Sequence, residues 1–207
     1  MLQTLKEQIV EVGRRLYRKG LVNGNEGNIS IRLPGDRILT TPTGVSKGFL
    51  QADDLVIVDL DGNILEGKQK PSSEVKMHLA AYRARPDIQA AVHAHPRFAT
   101  TFAVARKNLS ITAMPEMVVL VGEVALVPYG TPSTTELVDQ FAPYWKGHDA
   151  FLLSNHGVLT LGRDIWEALY RMESLEHYAG IILASQSLGG PHYLEPENLE
   201  KLYRLKQ

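Results

Sequence analysis

The apolar run from Ile88 to His95 ends in His93-Ala94-His95, and this ending constrains the fold more than any other stretch of the chain. Read as a strand, it sets two imidazoles at i and i+2 on one face. That is a natural way to offer a divalent metal two ligands on rigid backbone. A third imidazole stands at Ser154-Asn155-His156-Gly157, just past a second buried strand from Asp149 to Leu153, and Glu74 in Pro71-Ser72-Ser73-Glu74 opens a helix upstream. Three histidines and one carboxylate suit zinc or a similar transition metal. The chain contains no cysteine, so thiolate ligands and disulfides are excluded, and only His, Asp and Glu remain as metal donors.

Each histidine taken alone also reads as a satisfied core or strand-end residue. Their joint placement at strand ends, where loops build sites, brings in the metal reading, and spacing leaves both readings open. His78 shares a helix face with Glu74, but it lies outside the zinc-protease pattern, in which the glutamate directly follows the first histidine. It reads as structural. His148, His177 and His192 lie among polar loop or helix-face residues and read as surface groups.

With 207 residues the chain can fill one core, and no linker-like stretch divides it, so one domain over 1–207 is expected. The net charge is −1 and the basic residues are scattered, which excludes the broad positive footprint of a nucleic-acid binder. A recognised phosphate would then belong to a small molecule. The segment Leu2 to Lys19 mixes charges with apolar residues at helical spacing, so neither a signal peptide nor a membrane anchor is expected. The expectation is a cytoplasmic protein without a membrane partner.

Leu5, Ile9, Val12 and Leu16, followed by Gly20, predict an amphipathic helix with a glycine stop. Asn28 to Leu33, the turn Pro34-Gly35-Asp36, and Arg37 to Thr41 predict a hairpin, with a further strand from Leu55 to Leu60 before Asp61-Gly62-Asn63. A helix is expected from Ser73 to about Arg85, and another with Pro96 in its first turn. Hydroxyl caps at Thr131 to Thr135 precede Leu137, and Ile165, Leu169, Met172, Ala179 and Ile182 mark a long helix with one face on the sheet. The pattern is an α/β layer domain.

A second set of residues is rich in glycine and hydroxyls: Gly24-Asn25-Glu26-Gly27-Asn28, Thr41-Pro42-Thr43-Gly44, and Ser72-Ser73 at a helix start. Small residues let backbone N–H groups approach an anion, and helix N-termini favour phosphate. Each of these also reads as an ordinary turn or cap.

Gly27-Asn28-Ile29-Ser30, Thr41-Pro42-Thr43-Gly44, Glu66-Gly67, Pro71-Ser72-Ser73-Glu74, Met77 to Tyr82, Val92 to His95, Pro128-Tyr129 and His156-Gly157 occur in the order found in the class II aldolase/adducin family. Nearly the whole chain resembles that family. The resemblance implies a single three-layer α/β/α domain whose central, mainly antiparallel sheet is flanked by helices. It implies Zn2+, with Mn2+ or Co2+ as alternatives, held by Glu74, His93, His95 and His156. It implies a substrate phosphate held by Asn28, Thr43, Gly44, Ser72 and Ser73. It also implies a homotetramer with active sites at subunit interfaces.

The activity so implied is reversible cleavage of a ketose 1-phosphate, of the L-fuculose 1-phosphate kind, to dihydroxyacetone phosphate and an aldehyde. Glu74 would serve as both ligand and general base. Where aldolases of the family present a tyrosine proton donor from a neighbouring subunit, this sequence has Glu116, which becomes the expected acid. The chain ends before the family's C-terminal tyrosine, leaving Tyr193 or Tyr203 as substitutes. The carboxylate at 116 keeps open a dehydratase or 4-epimerase of a phosphorylated pentulose, such as methylthioribulose 1-phosphate or ribulose 5-phosphate. An adducin-like interaction domain without metal chemistry is disfavoured by the complete ligand set.

Overall fold

In the computed structural model, which describes residues 1–205, helix α1 (Leu2–Arg18) buries Ile9, Val12 and Leu16 and stops before Gly20, which takes a φ of +67°. That left-handed value suits glycine and ends the helix as predicted. The predicted hairpin follows as β1 (Asn28–Leu33) and β2 (Arg37–Thr40), in antiparallel register from Ser30 with Thr40 to Leu33 with Arg37.

Next come β3 (Val56–Val58), β4 (Ile64–Glu66), α2 (Val75–Ala84), β5 (Ala90–Ala94), α3 (Arg97–Val104), a π-helical turn (Met117–Val121) and β6 (Val124–Val127). Then follow α4 (Thr135–Gln140), β7 (Ala150–Leu153), β8 (Gly157–Gly162), α5 (Ile165–Ser185) and α6 (Pro196–Leu205). The eight strands form one sheet in the order β4-β3-β2-β1-β5-β8-β7-β6. Only the β6–β7 pair is parallel, so the sheet is mainly antiparallel, as expected.

Alternation along the strands divides the core in two. Ile29, Ile31, Val92, Ala94, Leu152 and Val158 face α1, α3 and α5, whereas Ile38, Val58, Ala91, Phe151 and Leu159 face α2 and α4. This is the expected three-layer α/β/α arrangement. Among the described residues no helix is long and apolar enough to cross a membrane.

Several boundaries differ from expectation. Helix α2 starts at Val75 instead of Ser73, because Ser72 forms a turn whose carbonyl accepts from Val75 N (3.1 Å) and whose hydroxyl accepts from Glu74 N (3.3 Å). Glu74 therefore sits just outside the helix. Strand β5 ends at Ala94, since His95 N turns to donate to Leu21 O (3.1 Å). Pro96 then precedes α3 in an extended conformation (ψ 137°) and does not join its first turn. The strand expected from Leu55 to Leu60 is shortened to β3, with Asp59 accepting from the backbone of Asp61 and Asn63 in the following turn.

Candidate active site

Along β5, Val92 and Ala94 point into the α5-side core, so His93 points to the opposite face, where it is fully buried. His95 lies one residue past the strand end. Strands β7 and β8 form a tight hairpin that pairs Leu153 with Gly157 and puts Asn155 at a φ of +58°. Because β8 pairs with β5, with Val158 opposite Ala94, the tip of that hairpin carries His156 alongside His93 and His95.

One nitrogen from each of the three rings lies within 4.8 Å of the others. Glu74 closes the group, with Oε1 2.9 Å from His156 Nε2 and Oε2 3.4 Å from His93 Nε2. All four predicted metal ligands thus meet, from three separate segments of the chain.

The hydrogen-bond partners assign the tautomers. His93 Nδ1 is 2.8 Å from the carbonyl of Val158, which can only accept, so Nδ1 donates and, in the neutral ring, Nε2 carries the lone pair. His95 Nδ1 likewise donates to the Glu26 carboxylate at 2.9 Å. With both rings neutral, the two Nε2 atoms face each other at 3.1 Å with no proton between them. Two lone pairs at that distance repel, and a shared cation removes the repulsion.

Burial and the neighbouring His93 push His95 down to about 4 against the pull of Glu26, so its ring is neutral at pH 7 and ready to coordinate. Burial opposes ionisation of Glu74, but contacts with His156 and His93 outweigh it and hold the carboxyl well below its usual range. Three imidazole nitrogens and a carboxylate are the donor set of a divalent transition metal, and the residues fit one.

Two glycines make this approach possible. A Cβ on Gly157 would lie 2.5 Å from His95 Cδ2 and 2.7 Å from Ala94 O. Gly27 has a φ of +75°, and a Cβ there would meet His93 O at 2.8 Å.

The predicted phosphate residues border the same cluster. Asn28 of β1 pairs directly with His93 of β5. Its side chain is fully buried, and neither Oδ1 nor Nδ2 has a partner. Leaving such groups unpaired costs about 1–3 kcal/mol each, so an unpaired amide here points to a ligand. Thr41 N donates to Ile29 O (3.0 Å), Ser72 N to Thr41 O (3.1 Å) and Thr43 N to Lys70 O (3.0 Å). These bonds lay the Thr43-Gly44 and Ser72-Ser73 loops side by side next to Asn28. Thr43, Gly44 and Ser73 are exposed and Ser72 is buried.

A family model described as the class II aldolase and adducin N-terminal domain matches residues 7–183. The chain belongs to this family. An L-fuculose phosphate aldolase of Methanococcus maripaludis is 40% identical over 172 residues, covering 83% of this chain and 92% of that protein. A 3-oxo-tetronate 4-phosphate decarboxylase of Haemophilus influenzae is 36% identical over 185 residues, covering 87% of this chain and 88% of the relative. Among solved structures, an L-fuculose 1-phosphate aldolase superposes with a TM-score of 0.91 at 32% identity, covering 99% of this chain and 97% of that one. The class II aldolase and decarboxylase enzymes are therefore the group to which this chain is similar in both sequence and fold.

Other predicted residues stand apart from the cluster. Glu116 is exposed at the start of the π-helical turn and has no ion pair or side-chain hydrogen bond among the described residues. Tyr193 and Tyr203 line a groove with Tyr144 and His148, not with the metal cluster. His78 is structural, as expected: fully buried, it shares Ser30 Oγ (2.7 Å) with the Tyr82 hydroxyl (2.8 Å), and burial holds it at about 3. His177 and His192 are exposed. His148 is half-buried, with Nδ1 donating to Tyr144 O (3.0 Å).

Two residues at the site carry no signal in the sequence. Glu26 is one carboxylate within a glycine-rich loop, and its contact with His95 spans 69 positions. Lys47 sits in an ordinary-looking loop, yet it is 1% exposed.

Proposed function

We propose that this protein is a zinc-dependent sugar-phosphate aldolase that reversibly cleaves a ketose 1-phosphate, with L-fuculose 1-phosphate as the leading substrate, to dihydroxyacetone phosphate and an aldehyde. One observation carries the reading. The unpartnered amide of Asn28 lies directly across the β1–β5 ladder from His93, which supports a phosphate cradle and a four-ligand metal group on one face of the sheet. A substrate with a phosphate close to a carbonyl spans those two features.

Glu74, His93, His95 and His156 would hold Zn2+, with Mn2+ or Co2+ as substitutes. When bound, the cation supplies Lewis-acid stabilisation of the negative charge that develops on the substrate oxygens as a C–H or C–C bond breaks. Asn28, Thr43, Gly44, Ser72 and Ser73 bind the phosphate and orient the carbon chain.

Glu74 is the base. While it touches His156 and His93 its basicity is suppressed, but once it swings away the burial that disfavours its charge raises its proton affinity. In the synthetic direction it takes the proton from the carbon beside the triose-phosphate carbonyl. That carbon then attacks the aldehyde, and the new alkoxide needs an acid. Glu116, exposed and unengaged within one chain, supplies that proton to a neighbouring copy in a homotetramer whose sites lie at subunit interfaces.

The Haemophilus relative supports a second reading. Loss of CO2 from a 3-oxo acid phosphate leaves the same developing charge beside the same phosphate, so one cradle serves both cleavages. Glu116 in place of tyrosine also suits the dehydratase and epimerase alternatives.

The test is a coupled assay of zinc-loaded protein with L-fuculose 1-phosphate, in which released dihydroxyacetone phosphate is reduced at the expense of NADH. NADH loss that a chelator abolishes supports the aldolase. Dihydroxyacetone phosphate formed only from 3-oxo-tetronate 4-phosphate, with CO2, assigns the decarboxylase. A protein that keeps its zinc and cleaves neither refutes both and leaves dehydration or epimerisation.

A further inference from the structure

We propose that Glu26 is a positioning residue of the metal centre, holding His95 in the tautomer and orientation that present its Nε2 lone pair to the cation. The proposal rests on the assignment of the three histidines as ligands. The outer nitrogens of these rings have different environments. His93 Nδ1 faces a neutral carbonyl, and His156 Nδ1 is buried without a partner. Only His95 Nδ1 faces a carboxylate, at 2.9 Å. A carboxylate accepting the outer N–H fixes which nitrogen keeps the lone pair and strengthens that nitrogen as a donor to a metal.

Glu26 is itself held in place. Its Oε1 accepts from Asn23 N at 2.7 Å, leaving Oε2 for His95. Gly27, the next residue, packs against the backbone of His93 with no room for a Cβ, which pins the loop to the end of β5. On the other side, the buried Lys47 ammonium donates to Asn25 O (3.1 Å) and Val45 O (2.6 Å). It thereby ties the loop of Glu26 to the loop of Thr43 and Gly44, and its charge lies in the field of Glu26. The carboxylate is thus a fixed part of the site, on a loop that Lys47 ties to the Thr43-Gly44 loop.

The experiment uses the full chain, stripped of metal, with Zn2+ alone as the probe and a chromophoric chelator as competitor. Glu26→Gln keeps the size of the side chain but removes the charge, and while its Oε1 accepts from Asn23 N its Nε2 turns a donor toward His95 Nδ1; Glu26→Ala removes the side-chain contacts altogether. Both variants are expected to bind zinc roughly 10- to 100-fold more weakly, the glutamine variant because its Nε2 donor favours the His95 tautomer protonated at Nε2. Nitrogen NMR of the metal-free wild type is expected to show His95 protonated at Nδ1, with that preference lost in Glu26→Ala. A purely loop-stabilising role would lower the metal-free melting temperature and leave both readouts unchanged.

Wild type that binds zinc, with both variants binding it equally tightly, overturns the role of Glu26 while leaving the metal reading intact. So does wild-type His95 protonated at Nε2, a result that needs no variant to fold. Wild type that binds no zinc overturns the metal reading instead, and this one with it.

Discussion

Gly157→Ala tests whether the close packing of the β7–β8 hairpin against His95 builds the metal centre. Gly157 has no left-handed φ, so alanine adds no backbone strain and the variant reports packing alone. The new methyl would stand 2.5 Å from His95 Cδ2 and 2.7 Å from Ala94 O. The first contact is about 1 Å short of ordinary van der Waals distance. The second is with backbone that the β5–β8 ladder holds in register, so it yields only if the strands part. The ring of His95 therefore has to move.

Overpacking of this kind costs about 1–3 kcal/mol. At roughly 2–4 °C per kcal/mol for a chain of this size, the metal-free melting temperature should fall by about 2–12 °C. A ligand displaced by about 1 Å lies well outside the ~0.2 Å tolerance of a metal–ligand distance, so zinc affinity should fall at least ~10-fold. Thermal melting of the metal-free protein and chelator competition measure the two effects separately. Wild-type values for both would refute the packing argument. A lowered melting temperature with unchanged affinity would show that the strands absorb the methyl and that His95 does not move.

Zinc at 100-fold above its dissociation constant should stabilise the fold by about 2.7 kcal/mol, so chelation should lower the melting temperature by roughly 5–11 °C; a chelator-insensitive melt would contradict metal binding. Glu116→Gln should cut turnover about 10²- to 10⁴-fold with zinc content unchanged, and wild-type turnover would reduce Glu116 to an exposed loop residue. His78 lies at about 3 in the fold against an ordinary 6.5, so the folded state binds fewer protons than the unfolded chain between those values. Stability is therefore expected to fall as pH drops through that window, by about 1.4 kcal/mol per pH unit from this group, with Glu74 adding in the same sense below the usual carboxylate range. Denaturant titrations of metal-free protein across that window should show His78→Gln with a shallower slope by about one proton, and an unchanged slope would show that His78 is not held neutral.

The elements that the sequence made legible are those with strong local periodicity or turn chemistry. Helix α1 with Gly20, the β1–β2 hairpin at Pro34-Gly35-Asp36, and α5 all form where alternation or helical spacing puts them. Boundaries were legible only where no distant group competes for the backbone. The end of β5 is decided by Leu21 O taking the His95 N–H, and the start of α2 by the turn at Ser72. Strand β6 went unread because its parallel pairing with β7 is a tertiary fact. The candidate histidine ligands were legible because the His-Ala-His spacing and the His-Gly turn are local. Glu26 and Lys47 were not, since a single carboxylate or ammonium acquires a role only through its neighbours in space.

From local order alone, the amino-acid sequence determined which side chains could share a face: His93 and His95 by the period of a strand, Asn28 and Ser30 by the same rule, and the hydroxyls by their loops. Tertiary structure decided that these faces are one face. Pairing β5 with both β1 and β8 sets Asn28 opposite His93 and brings His156 across the 62 residues between it and His93 to meet them. The physical reason is that hydrogen-bond register between strands is fixed by burial of both sides of the sheet at once, a condition on the whole fold that no single segment contains.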